Sequence, residues 1–397
     1  MASVGERVRE GADADNKDEW ITQWMVKELL ALVTFVCGRF ERHEEKVKIE
    51  GREVPIEYYS TPGDVQAVNE EFIMAEIGNG LKYFTNIFGP YPYGRMGAAY
   101  FPTHYGQGFA TLLLLPAEGY ARRSEFAFMA HEGSHQWWGN IVGWRSYRDQ
   151  WLSEGFAEYS GVLYTGLRMK SKDAYELLKE MRSSLLYPPQ TDTGITGEKL
   201  YEVGPLILGQ RLSSRRSQGA YQALIYNKGG LVLRMLHFLF TNPSTGDGQP
   251  FFDMMKDFVN RYRNSSASTE QFAQVAGEHF ARTAIAQKYG IKDLNWFFTQ
   301  WVYQTALPTY RLEYSIVEQP DGKSMVQGTV FQENAPDNWA MPLPVVIKFD
   351  GNKIARGTIL AAGPRQPVNI ALPQKPKSVE LDPELWVLSE KTSTKKR

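Results

Sequence analysis

One cysteine, Cys37, stands among the 397 residues, so no disulfide can close within the chain and no cysteine-rich metal site can form. Any bound metal must then be held by imidazole and carboxylate, and histidine is itself scarce, at six residues. Cys37 lies in an apolar stretch and is expected to be a buried, inert thiol. Charge of one sign is also missing. The 44 Lys and Arg balance 45 Asp and Glu to a formal −1, leaving no global field to draw a polyanion, so no nucleic-acid partner is expected. No long apolar run exists either: Leu29 to Val36 is broken by Thr34 and is far shorter than the ~20 residues that cross a bilayer, so no membrane span is expected. Met1 to Asp18 lacks the basic start and apolar core of an export signal. The chain reads as soluble, either cytoplasmic or a secreted or periplasmic protein given without its leader, and the compartment stays open.

What is present is ordinary globular composition, 43% hydrophobic and 22% charged, at a length that allows two or three cores. Residues 1–50 show no clear period and read as the remnant of a small N-terminal β region. Val47, Ile49, Val54, Ile56 and Tyr58 alternate as a strand over 46–59, and from Pro62 the apolar spacing predicts a helix (Val65, Val68, Phe72, Ile73, Ile77, Leu81, Phe84) that ends at Gly89-Pro90. Strands are expected at 96–101 and 109–115, and helices at 124–140, 153–169 and 172–186. After a long polar loop over 188–219, further helices are expected at 221–240, 251–262, 269–280 and 294–304. Beyond Pro308 short alternating runs return, with Asp321-Gly322 and Asp350-Gly351 as hairpin turns. The expected fold is therefore α+β and multidomain: a mainly helical domain over 51–306, a β-sandwich over 307–390, and a basic tail over 391–397 that frays into solvent.

His131-Glu132-Gly133-Ser134-His135 places two imidazoles one helical turn apart and about 40° apart around the axis, so both can face one ion. Glu132 is rotated by about 100° from the first, where it can reach a water on the metal without binding the metal. Two histidines that merely share an amphipathic face are the plain alternative. Glu154, 19 positions after His135, is far enough along for a turn and a second, antiparallel helix, so it can complete a three-ligand site with one position left for water. Glu158, one turn later, shares its face and can accept a hydrogen bond from a ligand imidazole. The metal implied is Zn2+, one per chain.

At this point the residues resemble the aminopeptidase N and leukotriene hydrolase family of gluzincin zinc metallopeptidases. The blocks are His131-Glu-Gly-Ser-His-Gln-Trp-Trp-Gly-Asn140 and Trp151-Leu-Ser-Glu-Gly-Phe-Ala157, with eighteen residues between the second His and the zinc Glu. Phe88-Gly-Pro-Tyr-Pro-Tyr93, Tyr226-Asn-Lys-Gly229, Trp301-Val-Tyr-Gln-Thr305 and Val379-Glu-Leu-Asp-Pro383 extend the likeness over about residues 50–390. The resemblance implies a thermolysin-like catalytic domain followed by an Ig-like β-sandwich, with Tyr226 as the phenol that donates to the oxyanion of the tetrahedral intermediate. Two departures stand out. The family's Gly-x-Met-Glu-Asn block, whose Glu binds the free α-amine of the substrate, is replaced here by Tyr105-Gly106-Gln107-Gly108-Phe109-Ala110-Thr111, with no carboxylate; and the family's large N-terminal β-saddle domain and helical-repeat domain are missing.

The activity expected is zinc-dependent peptide hydrolysis with Glu132 as general base and then acid, and with the backbone of Gly106, Gln107, Gly108, Phe109 and Ala110 binding the substrate as an added strand. The absent amine anchor leaves exopeptidase selectivity open and motivates an alternative, a zinc hydrolase of a non-peptide ester, amide or epoxide. A non-catalytic zinc-stabilised scaffold is the remaining alternative, and neither Glu132 nor Tyr226 is needed for it. His104, Tyr221 and Arg211 could each meet substrate, but His104 and Arg211 read better as surface residues and core packing accounts for Tyr221 equally well.

Overall fold

The strand expected over 46–59 is a hairpin that turns at Glu50 and Gly51, and its second arm buries Val54, Ile56 and Tyr58 on one side and Glu57 and Tyr59 on the other. The computed structural model describes residues 1–397 except 62–69, 117–121, 188–189, 192–193, 196–198 and 216. The chain is a mixed α/β protein of two units, Met1–Ala174 with Met255–Ser268, and Tyr175–Met254 with Thr269–Arg397.

In the first unit, β1 (Ala2–Ser3), β2 (Glu6–Ala12), β3 (Trp20–Met25) and β4 (Phe35–Val36) form two antiparallel pairs, β1 with β4 and β2 with β3. Residues 1–50 thus carry more strand than their pattern announced, because two-residue strands and a register shift between Arg7 and Arg9 leave no period to read. Cys37, just past β4, is exposed rather than buried: the apolar stretch around it is a surface segment, with Leu29, Leu32, Val33 and Phe35 exposed as well.

Next come β5 (Glu41–Ile49), β6 (Arg52–Ser60), α1 (Glu70–Phe88), β7 (Met96–Phe101), β8 (Gln107–Phe109) and β9 (Leu112–Pro116). They build one five-stranded sheet in the order β5-β6-β7-β9-β8, parallel from β6 through β9 and antiparallel at both edges. The expected boundary at residue 50 falls in the hairpin between β5 and β6. The proposed helix start at Pro62, with Val65 and Val68, lies outside the described residues; the rest of α1 buries Ile73, Ile77, Leu81, Phe84 and Phe88 as its spacing requires.

α2 (Arg122–Ser134), β10 (Val142–Trp144) and α3 (Trp151–Arg168) follow, then α4 (Ser171–Leu186). α2 stops six residues before the expected end at Asn140: the chain turns through His135–Trp138, and Gly139 takes a φ of +98°, which a side chain would resist. α2 and α3 approach so closely that a Cβ on Gly161 would lie 2.8 Å from the Ala127 carbonyl oxygen. α1 is tied to α3 through buried Glu76, which accepts from the Tyr164 hydroxyl at 2.7 Å and from Arg168 Nε at 3.1 Å. An aromatic layer of Phe84, Phe88, Trp137, Trp138 and Phe156 fills the space beside the two helices, with Phe88–Trp138 centroids 4.7 Å apart and Trp138–Phe156 5.0 Å.

The second unit begins within α4. The long loop carries a short pair, β11 (Gln190–Thr191) and β12 (Gly194–Ile195), and 3-10 turns at Leu200–Glu202 and Leu206–Leu212. A π-helical turn, Gln222–Lys228, runs into α5 (Gly229–Phe240). α6 (Gln249–Tyr262) leads back to the first unit, where β13 (Ser265–Ala267) pairs in parallel with β10. α7 (Thr269–Phe280), α8 (Ala284–Tyr289) and α9 (Asn295–Trp301) precede the strands β14 (Thr309–Glu318), β15 (Ser324–Glu333), β16 (Ala340–Lys348), β17 (Ile354–Ala362), β18 (Arg365–Leu372), β19 (Ser378–Leu381) and β20 (Lys391–Lys396). These form a four-stranded sheet, β18-β15-β14-β20, and a three-stranded sheet, β17-β16-β19. The basic tail is therefore not a frayed end: β20 pairs in parallel with β14, and Arg397 Nε reaches Glu313 at 2.9 Å. An edge strand supplied what charge composition alone could not reveal.

Candidate metal centre

His131 sits in the last turn of α2 and His135 just beyond it, while α3 brings Glu154 in its first turn. The result is a triangle of donor atoms: His131 Nε2 to His135 Nε2, 3.3 Å; His131 Nε2 to Glu154 Oε2, 3.6 Å; His135 Nε2 to Glu154 Oε2, 3.5 Å. Ligands held at ~2.0–2.2 Å around a tetrahedral zinc stand ~3.3–3.6 Å from each other, so this donor set fits such an ion. It is the one cluster of three such groups among the described residues.

Each imidazole is held in place from behind. His131 Nδ1 lies 3.2 Å from Glu158 Oε2, and His135 Nδ1 lies 2.8 Å from the Trp138 carbonyl oxygen. With Nδ1 of each ring turned to these acceptors, both Nε2 atoms face Glu154.

Electrostatics follow from the crowding. Burial pushes the His131 imidazole down, but hydrogen bonds to Glu154 and Glu158 and the charge of Glu132 outweigh it, and the group ends well above its usual value. His135 is raised as well, burial being overcome by the charge and hydrogen bond of Glu154. Burial acts upward on Glu154 too, yet the charge of His135 and hydrogen bonds from both histidines hold it well below the usual carboxylate range. Glu132 goes the other way: burial raises it, with partial relief from the two histidines and from the Gly108 N–H.

A zinc ion must therefore displace protons that the metal-free histidines hold more tightly than free imidazole does. As pH rises through their titration the competing protons leave, so zinc affinity is expected to rise with pH and to fall below it. Calorimetric zinc titrations at neutral pH in buffers of different ionisation enthalpy should show proton release; a heat independent of the buffer contradicts this.

β8 lies directly against this centre. The Gly108 carbonyl accepts from Asn140 Nδ2 at 3.0 Å, the Phe109 carbonyl from Gln136 Nε2 at 2.9 Å, and Gln136 Oε1 in turn accepts from the Thr111 N–H at 2.8 Å. Gln136 is fully buried, and Asn140 also donates to the His135 carbonyl at 2.8 Å. Neither residue was singled out from the sequence. The available signal was a buried amide beside two tryptophans, which has to find partners. The close approach afforded by Gly106 and Gly108 is to α2: a Cβ on Gly108 would stand 2.4 Å from the Glu132 carbonyl oxygen, and one on Gly106 2.3 Å from Phe128 Cζ. Gly108→Ala is expected to push β8 off the centre, lowering stability by ~1–3 kcal/mol and weakening zinc binding; unchanged denaturant unfolding would contradict it. Of the other residues expected to meet substrate, Gln107 is exposed, Phe109 half-buried and Ala110 fully buried in the core.

Tyr226 belongs to the second unit. It is half-buried in the π-helical turn, its ring 5.9 Å from that of Tyr221 at 70°. Lys228, two residues on, is buried, donates to the Gln304 carbonyl at 3.2 Å and is pushed down to about 8 by burial. His104 is exposed.

Two imidazoles from one helix, a carboxylate from the next and a glutamate beside the first imidazole define the gluzincin class of metal centre. Comparison with known proteins agrees. Residues 109–301 match the peptidase family M1 domain. Aminopeptidase B of Rattus norvegicus is 26% identical over 266 residues, 64% of this chain and 37% of that protein. Leukotriene A-4 hydrolase of Xenopus laevis is 25% identical over 257 residues, 61% of this chain and 37% of that one. Among solved structures, aminopeptidase A of Legionella pneumophila superposes with a TM-score of 0.71 at 14% identity, covering 98% of this chain and 42% of its own. The M1 zinc metallopeptidase of Deinococcus radiodurans gives 0.56 at 21% identity, covering 77% and 62%. Residues 109–301, just under half of the chain, are thus similar to a peptidase family M1 domain, and the chain spans little more than a third of those two curated relatives.

Proposed function

We propose that the chain is a zinc-dependent metallopeptidase that hydrolyses peptide bonds, with His131, His135 and Glu154 holding one Zn2+. The observation that carries the reading is the convergence of three donor atoms at 3.3–3.6 Å with both Nδ1 groups anchored behind them. When bound, zinc supplies a Lewis acid that polarises the scissile carbonyl and acidifies a water. Glu132, buried beside the two histidines, takes the proton from the attacking water and passes it to the leaving nitrogen. Its proton affinity, raised by burial, suits a group that must both accept and return a proton. The β8 segment from Gly106 to Phe109 aligns the substrate as an added strand. We assign a thermolysin-like catalytic domain that extends to about residue 306 and an Ig-like β-sandwich over 307–390, the latter supported by the paired strands of the two C-terminal sheets.

The stretch Gly106 to Ala110 offers no carboxylate to a substrate amine. Internal or blocked peptides, or a non-peptide ester, amide or epoxide, are therefore compatible substrates. Zinc content measured beside hydrolysis of two matched fluorogenic peptides, one with a free amine and one blocked, tests the reading. Cleavage of both at comparable rates by zinc-loaded protein is the expected result. Cleavage of the free-amine peptide alone calls for an amine anchor elsewhere, and cleavage of neither, with zinc bound, overturns the peptidase assignment.

A further inference from the structure

The second unit contains a cavity of about 540 Å³, large enough for a small organic ligand, between the α5–α6 corner and strands β16 and β17. Its walls are chiefly rings and aliphatic groups: His237, Phe238, Phe252, Val345, Val346 and Trp386. His237 and Trp386 meet edge to face at 5.7 Å and 85°, with Phe251 stacked behind the imidazole at 4.5 Å. The tryptophan is held from several sides. The Arg234 guanidinium lies 3.2 Å from its ring centroid, its indole N–H donates to Glu384 Oε2 at 3.0 Å, and its backbone N–H donates to Asp382 Oδ1 at 2.8 Å.

The charges in the lining are already engaged. Arg356 pairs with Glu384 at 2.7 Å, and Asp247 is an exposed rim residue that accepts the Gln249 N–H at 2.9 Å. Burial, with the charge of Arg234, pushes His237 down to about 3, so its ring is neutral. A charged ligand would find no unmatched partner and would lose its hydration, whereas an uncharged ring gains contact with four aromatic walls. Fixed walls also spare a ligand the cost of ordering them.

We propose that this cavity is a binding site for one uncharged aromatic group, carried either by a free small molecule or by an aromatic side chain of a peptide. The site lies wholly within the second unit and needs neither zinc nor the peptidase reading.

Phenylnaphthylamine, a neutral fluorophore bright only in apolar surroundings, is the probe. Titrated into metal-free full chain, it is expected to saturate at one site with a dissociation constant of about tens of micromolar. The same rings carrying a sulfonate, as anilinonaphthalene sulfonate, should bind at least tenfold more weakly. Gly357 lines the cavity, and a Cβ there meets only Val345 Cγ1, at 3.6 Å. Gly357→Phe should therefore plug it and weaken the probe at least tenfold, and Phe252→Ala should weaken it severalfold without adding bulk, each checked for an unchanged unfolding midpoint. Displacement by free indole alone identifies small molecules as the occupant; displacement by a blocked tripeptide with central Phe, but not Ala, identifies peptide side chains. The proposal is overturned if wild-type binding does not saturate, if the sulfonate binds as tightly, or if both folded variants bind the probe as wild type does.

Discussion

Glu132→Gln is expected to lower kcat for peptide hydrolysis by ~10²–10⁴-fold, the usual contribution of a positioned general base, while zinc stays bound. The two parts separate because Glu132 is not one of the three converging donors: its carboxylate is 6% exposed and accepts the Gly108 N–H instead. The glutamine amide is nearly the same size and its oxygen can keep that bond, so β8 need not move. What is lost is the capacity to take a proton. Removing the negative charge also lowers the proton affinity of His131 and His135, to both of which Glu132 contributes upward. The same charge also attracts the dication itself, so the two effects offset and zinc affinity should change little. Steady-state kinetics on protein of measured zinc content decide the matter. A variant that keeps more than a tenth of wild-type kcat would falsify the assignment of Glu132 as the base, and one that is inactive only because zinc is lost would show that Glu132 supports the metal instead.

The metal centre was legible in the sequence because its geometry is helical: two donors one turn apart, and a second pair, Glu154 and Glu158, one turn apart on the partner helix. Spacing of that kind survives any change of surroundings. The layer around it was not legible. Gln136 and Asn140 grip β8, but their partners are backbone carbonyls at 108 and 109 and the N–H of Thr111, which no side-chain pattern announces. The early end of α2 depends on Gly139 adopting a positive φ, a choice made by tertiary packing beneath Trp137 and Trp138. Short strands fared worst. β1 and β4 have two residues each, too few for a period, and β20 reads as a charged tail because its partners are main-chain groups of β14. Tyr226 came from family resemblance, since neither its π-helical turn nor its distance along the chain follows from local pattern.

Arg95→Ala is expected to cost ~3 kcal/mol of stability, the low end of the ~3–5 kcal/mol typical when one partner of a buried ion pair is removed. Arg95 and Glu57 are 5% and 6% exposed, joined by Nη2 to Oε2 at 2.7 Å and Nε to Oε2 at 3.1 Å. Removing the guanidinium strands the Glu57 charge, though not wholly: the Tyr59 hydroxyl still donates to it at 2.8 Å, and Arg42 and Arg7 stand 3.5 and 3.6 Å away. Those remaining donors place the estimate at the low end. Arg95 Nη1 also donates to the Gly5 carbonyl at 2.8 Å and the Thr111 carbonyl at 3.4 Å, and the guanidinium lies over the Trp24 ring, so the N-terminal strands loosen with it. Thr111 is the same residue whose N–H is held by Gln136, at a φ of +62°. Thr111 keeps its other ties, the Gly97 N–H to its carbonyl at 2.8 Å and the Gly5 N–H to its hydroxyl at 2.7 Å, so β8 should hold its place beside Glu132 and zinc affinity should change little. Urea unfolding and zinc titration on the same preparation test both. A double variant, Arg95→Met with Glu57→Leu, separates charge from packing: it should recover most of the stability, because no buried charge is left unpaired, and leave zinc affinity as it was. Failure of the double variant to recover stability would show that the pair acts through packing rather than charge, and a loss of zinc affinity in Arg95→Ala would show that the 3.4 Å bond to Thr111 steadies β8.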